Sequence, residues 1–141
     1  MEMYFDSNVF IYYCSYPQSC REYKTAKIYI DRMEKSIFVG VTGYFTWDEV
    51  VWKIHTNTDN PRSLRDSIKL ADCFLNVPNL VYLALDLSII QKAKYIINKY
   101  NKDPRDALHS ALAIIHSRGN IISNDHDFDS IHEVSRKFYL D

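Results

Sequence analysis

Glycine is scarce, with three residues in a chain of 141. No Gly/Ser-rich linker, internal repeat or low-complexity tract breaks the chain, so residues 1–141 read as one domain. Cysteine is equally sparse. Cys14, Cys20 and Cys73 are odd in number and lack C-x-x-C spacing, which suggests neither a zinc knuckle nor a disulfide framework. Long apolar runs are missing as well, and no basic region precedes the apolar stretch of "MEMYFDSNVFIYY". Membrane association is therefore not expected, and a reducing, cytoplasmic setting is the default. An excess of one charge sign is missing too, with 17 Lys and Arg against 18 Asp and Glu. The net charge of −1 gives no bulk pointer to nucleic acid, although setting aside four acids held around a metal would raise −1 to +3.

What is present is a globular composition, 47% hydrophobic and 25% charged. Eleven tyrosines are many for this length. They supply amphipathic surface for an interface or for base stacking, and core or rim packing explains them equally well.

Apolar strand-like runs alternate with helical patterns. "MYF" ends in Asp6 and is followed by the segment "SNVFIYY". "CREYKTAKIYIDRMEK" reads as a helix and "SIFVGV" as a strand. "TGYFTWDEVVWKIH" is helical, with Thr42 able to cap it, and "NPRSLRDSIKLADCFLN" is another helix with Pro61 in its first turn. "LVYLAL" is a strand, "DLSIIQKAKYIINKY" a helix capped by Asp86, and "DPRDALHSALAIIHSRG" a helix stopping at Gly119. "NIIS" is a third buried strand and "RKFYL" a candidate edge strand. Such alternation implies the α/β class, with a parallel sheet covered on both faces and ligand sites at the strands' carboxyl ends.

Four acids fall where that architecture puts chemistry. Asp6 follows the first strand, Asp125 lies just beyond "NIIS", Asp106 is one turn into its helix, and Glu49 sits in the "TWDEVVWKI" helix. Dispersed carboxylates that converge suit a hard divalent cation. Plainer readings stand beside this one. Asp106 fits a capping box with Asp103, Asp125 could cap the turn at "HDFDSI", Asp6 could cap "SNVFIYY", and Glu49 could be a solvated helix residue. Periodicity alone does not choose between Asp48 and Glu49. The alternation of Asp125, Asp127 and Asp129 is no EF-hand, because the sixth position is Ser130 and the twelfth Arg136.

Taken in order, "MYFDSNVFI", "TWDEVVWKI", "DPRDALHSALA" and "ISNDHDFDSI" resemble the PIN domain, in the compact single-domain form of VapC-type toxins. The resemblance covers essentially the whole chain. It implies a three-layer α/β/α fold around a mainly parallel sheet of four to five strands. It further implies a ribonuclease whose four acids, here Asp6, Glu49, Asp106 and Asp125, hold one or two magnesium or manganese ions, so that Glu49 is preferred to Asp48. Asp127 stands at a position often acidic in the family and would assist a ligand or a second ion, whereas Asp129 reads as a surface residue. Asn8 and Ser123 would serve as polar groups behind the acids. Cleavage of single-stranded or loop RNA would leave a 3′-hydroxyl opposite a 5′-phosphate. A small antitoxin occluding the groove and a homodimer are also implied.

Substrate contacts are less defined. Arg105 and Lys53 are candidate phosphate contacts, Lys102, Arg62 and Arg65 could extend a basic rim, and Tyr12 or Tyr13 could stack on bases. Each of these also reads as an ordinary solvated charge or packed ring. His109 and His116 are expected to be packed or hydrogen-bonded, and His126 could touch the site. The rival functions are an RNA-processing nuclease without an antitoxin and a silent PIN-fold binding module. The complete acidic quartet argues against the second, since idle buried carboxylates cost stability.

Overall fold

The computed structural model describes residues 1–140. The elements run β1 (Glu2–Phe5), α1 (Ser7–Ser15), α2 (Arg21–Glu34), β2 (Val39–Gly43), α3 (Thr46–His55), α4 (Leu64–Leu75), β3 (Leu80–Leu83), α5 (Leu87–Tyr100), α6 (Pro104–Ser117), β4 (Asn120–Ile122) and β5 (Ser135–Lys137). A short 3-10 turn, His126–Ser130, lies between the last two strands.

The five strands form one sheet in the order β3-β2-β1-β4-β5, and every pairing is parallel. β1 is the middle strand, with Tyr4 opposite Val41 on one side and Ile121 on the other. Successive side chains of a strand point to opposite faces. Phe5 and Ile122 accordingly enter the core built with α1 to α4, while Tyr4 and Ile121 enter the core built with α5 and α6. Helices thus cover both faces, giving the three-layer α/β/α arrangement expected of a buried parallel sheet. Among the described residues no helix is long and apolar enough to cross a membrane.

Most helix boundaries follow the local signals. Asp86 accepts from the Ile89 amide at 3.1 Å to cap α5, and Asp103 caps α6 ahead of Pro104. After α6, Arg118 and Gly119 both take positive φ. A Cβ at position 119 would run into the Glu133 carbonyl, so glycine is required for β5 to approach.

Three expectations are corrected. Thr42 does not cap α3. It lies in β2, fully buried, with its hydroxyl donating to the Phe5 carbonyl at 2.8 Å and paired with Thr46. The hydroxyl is thus engaged by the Phe5 carbonyl and the Thr46 hydroxyl, and the helix begins later, after Phe45. Pro61 precedes α4 rather than entering its first turn, because Ser63 accepts from the Asp66 amide and sets the start there. Lastly, Cys14 and Cys73 form a disulfide between α1 and α4, their Cα atoms 5.9 Å apart, which leaves Cys20 as the free cysteine. The pairing is set by helix packing, with Phe10 stacked on Phe74 at 4.6 Å between ring centroids, and no sequence spacing encodes it.

Candidate active site

The order of the sheet reverses at β1. One crossover leads from it to β2, and the strand on its other side, β4, is reached only through α6. The carboxyl ends of β1 and β4 therefore meet at a switch point, where open α/β sheets leave a crevice. Asp6 leaves β1 there as the N-cap of α1, and Ser123 leaves β4 beside it. A cleft of about 950 Å³ opens at this place, lined by Asp6, Asn8, Glu49, Asp106, Asp125 and Asp127 among others. All four acids expected from the sequence, together with Asp127 and Asn8, therefore face one space.

Within the cleft the acids fall into two sets. Asp106, Asp125 and Asp127 can each bring a carboxylate oxygen within 4.8 Å of the others. Asp6 and Glu49 sit behind them, both almost fully buried. Asp48 is by contrast 69% exposed, and the Arg105 guanidinium lies 4.0 Å from it at the rim. Burial, not periodicity, separates the two adjacent acids of α3.

The buried set is held by a dense hydrogen-bond network. Asp6 accepts from the Ser7 amide at 2.8 Å, from Ser123 Oγ at 2.7 Å and from Asn8 Nδ2 at 3.2 Å. Ser123 Oγ in turn accepts from the Asp125 amide at 3.0 Å, and Asn8 Oδ1 from the Asn124 amide at 3.3 Å. Asn8 and Ser123 thereby tie the first acid to the loop that carries the fourth. Asp125 also accepts from the Asp127 amide at 2.9 Å and starts the 3-10 turn, so its capping role and its place in the cleft coexist.

His109 is the residue whose importance the sequence concealed. Three positions after Asp106 on α6, it is 1% exposed, with Nε2 2.5 Å from Glu49 Oε1 and 3.3 Å from Asp6 Oδ1. Its Nδ1 lies 2.6 Å from the Tyr4 hydroxyl. Burial, and then the Asp6 charge, push the Tyr4 phenol well above its usual value, so it keeps its proton. Desolvation pulls the His109 imidazole down, and Asp6 and Glu49 together outweigh it and leave the group raised. The one available signal was the i, i+3 spacing from Asp106, which places both on one helix face.

Burial comes first, and the charges of Asp103, Asp125 and Asp6 follow, in pushing the Asp106 carboxyl up to about 7. Asp103 was expected as a helix cap. It does cap α6, accepting from the Asp106 amide at 3.0 Å, and it also lines the cleft. Negative charge is thus concentrated beyond what the local donors offset. An all-oxygen set of this kind, part-buried and crowded, suits a hard divalent cation such as magnesium or manganese.

The remaining candidates separate cleanly. Lys53 and Arg105 line the cleft. Arg62 instead reaches the Ser15 carbonyl at 3.5 Å, and Lys102 and Arg65 are not among the lining residues. Tyr12 lines the cleft, whereas Tyr13 stacks on Tyr23 elsewhere. His116 is exposed on the last turn of α6. His126 pairs with Asp129 at 3.0 Å and with Arg136, which also holds the Ser123 carbonyl, so both residues brace the loop from outside.

The model of the PIN domain family matches residues 3–134. No curated protein sequence matches. Among the solved structures that share the fold are three toxin or toxin–antitoxin structures. One is VapBC2 from Rickettsia felis bound to a DNA fragment from its promoter, with TM-score 0.74, 12% identity, and coverage of 99% of this chain and 100% of that one. A toxin–antitoxin complex from Klebsiella pneumoniae has TM-score 0.65 and 19% identity, covering 94% and 95%. Mycobacterium tuberculosis VapC20, a sarcin–ricin loop cleaving toxin, has TM-score 0.67 and 13% identity, covering 92% and 95%. With a family model spanning nearly the whole sheet and every acid of the cleft, the chain belongs to the PIN domain family.

Proposed function

We propose that this protein is a divalent-metal-dependent endoribonuclease that cuts single-stranded or loop RNA, acting as the toxin of a toxin–antitoxin pair. The observation that carries the reading is the convergence of Asp6, Glu49, Asp106, Asp125 and Asp127 on one cleft at the switch point of the sheet. Asp106, Asp125 and Asp127 would hold one or two magnesium or manganese ions, with Asp6 and Glu49 completing the site from behind. A bound divalent cation would supply a Lewis acid for the phosphoryl oxygens and a water activated for in-line attack.

The chain's own residues do the rest. Ser123, Asn8 and His109 fix the buried carboxylates, so that their charge is oriented before substrate arrives. The uncompensated acids repel a phosphodiester, and substrate therefore enters only once the local charge is inverted. Lys53 and Arg105 stand at the cleft as phosphate contacts. A small antitoxin fits the reading because the Rickettsia and Klebsiella structures are named as toxin–antitoxin complexes. A homodimer, a single domain over 1–141 and a cytoplasmic setting belong to the same proposal.

Cleavage of a labelled single-stranded RNA panel with magnesium or manganese tests it, comparing wild type, Asp106→Asn and an EDTA control. Cutting that needs metal and is lost in the variant is expected. Cutting that persists in Asp106→Asn, or no cutting by folded, metal-supplied protein, overturns the proposal.

A further inference from the structure

The cleft extends well past the acids. Its lining also includes Ile11 and Tyr12 on α1, Tyr16 at the C-cap just past it, and Thr56, Asn57 and Thr58 beyond α3, none of them charged at neutral pH. Far more room is enclosed than a hydrated ion and one phosphate fill. Tyr12 and Tyr16 meet as an aromatic corner, with ring centroids 4.8 Å apart and planes inclined at 67°. The corner is rigid, because Tyr12 also packs on Phe138 at 5.6 Å and its hydroxyl accepts from Asn124 Nδ2 at 3.2 Å.

The polar groups around the corner are only half used. Asn124 spends its side-chain nitrogen on Tyr12 and its amide on Asn8, so among the described residues its Oδ1 is left without a donor. Asn57 spends its oxygen on the Asp59 and Asn60 amides at 3.0 and 3.3 Å, which leaves its side-chain nitrogen free to donate. A flat group presenting both donors and acceptors along one edge would complete this set. A nucleobase has that character, and aromatic faces accept any base while edge groups choose among them.

Position agrees with this. At 1.5 Å rise per residue, Tyr12 lies about 9 Å along α1 from Asp6, and Tyr16 follows at the helix's C-cap. Asn124 is the residue immediately before Asp125 and links the corner to the acids. We infer that this lobe is a nucleobase subsite for a nucleotide flanking the scissile phosphate, with Tyr12 and Tyr16 as the stacking corner and Asn124 and Asn57 as the groups that select the base. The inference rests on the ribonuclease reading, whose failure the following experiment separates from its own.

Oligoadenylate, oligocytidylate and oligouridylate, each labelled with fluorescein, serve as probes for wild type, Tyr16→Ala, Tyr16→Trp and Asn124→Ala. Binding is read by anisotropy with calcium in place of manganese, so that the acids are neutralised as substrate enters, and cleavage by KM and kcat with manganese. Losing one stacked base corresponds to about 1–3 kcal/mol, so Tyr16→Ala should weaken binding and raise KM by roughly 5- to 150-fold. Manganese affinity and kcat should stay close to wild type, Tyr16→Trp should restore binding, and Asn124→Ala should flatten the preference among the three probes. Unchanged binding and KM in Tyr16→Ala, with its melting curve intact, would overturn the subsite. If wild type binds in a Tyr16-dependent way yet cuts nothing, the subsite stands and the nuclease reading falls. If it neither binds nor cuts, both fall.

Discussion

Replacing Cys14 and Cys73 together by serine gives the most quantitative test of the fold. Their disulfide closes a loop of sequence separation 59 between α1 and α4. On the chain-entropy account, cross-linking a loop of that length removes freedom from the unfolded chain equivalent to about 4 kcal/mol at 25 °C. An unfolding entropy of about 2.1 cal/mol/K per residue gives about 0.3 kcal/mol/K for the whole chain, so the lost cross-link should lower Tm by about 14 °C. Cys73 is exposed, so a small thiol reductant reaches the bond and wild type under reducing conditions should melt with the double variant. Differential scanning calorimetry with and without dithiothreitol measures both. The native contacts of the two helices, Phe10 on Phe74 above all, survive the change. A Tm drop smaller than about 4 °C would refute the reasoning, because the unfolded chain would then be no freer without the bond.

Other outcomes follow from the site. His109→Leu removes the donor shared by Glu49 and Asp6, and it should reduce manganese affinity about 10- to 100-fold by calorimetric titration; unchanged affinity would show that the imidazole orients neither acid. Ser123→Ala deletes a 2.7 Å bond to the buried Asp6 carboxylate and should cost about 1.5–3 kcal/mol in urea unfolding, whereas a cost under about 0.5 kcal/mol would mean that water replaces the hydroxyl. In metal-free protein the Asp106 carboxyl, at about 7, binds its proton more tightly folded than unfolded. Its contribution is full below the unfolded value of about 3.9 and is lost as pH climbs toward 7, so Tm in EDTA should fall between about pH 5 and pH 7.5. The raised His109 acts in the same direction. Magnesium should recover more stability at the upper end of that range, and a Tm that rises with pH in EDTA would contradict the charge arrangement.

The elements were largely legible because their signals are local. Asp86 and Asp103 announce helix starts, and the apolar runs at "MYF" and "NIIS" announce buried strands. Thr42 misled because a threonine before a helical pattern resembles a cap, while only the neighbouring strand reveals that its hydroxyl serves the Phe5 carbonyl. The Cys14–Cys73 pair and the His109 contacts were invisible for the same reason, being relations between residues brought together by packing. For the acids, sequence placed Asp6 and Asp125 at strand ends, yet it could not say that Asp127 would share a group with Asp106 and Asp125 while Asp6 and Glu49 stand behind.

The place of β1 in the middle of the sheet has a consequence in time. Asp6 and the Ser123 hydroxyl that holds it are separated by 117 positions. At roughly 5–20 residues per second, a ribosome takes about 6 to 23 s to travel between them. Throughout that interval the nascent chain has Asp6, and later Glu49 and Asp106, but one edge of β1 has nothing to pair with and the acidic group of Asp106, Asp125 and Asp127 does not exist. Synthesis of β4 and the few residues after it fills the open edge of β1 and brings the acids of the cleft together, so a chain stalled upstream carries most of the acids and none of the site.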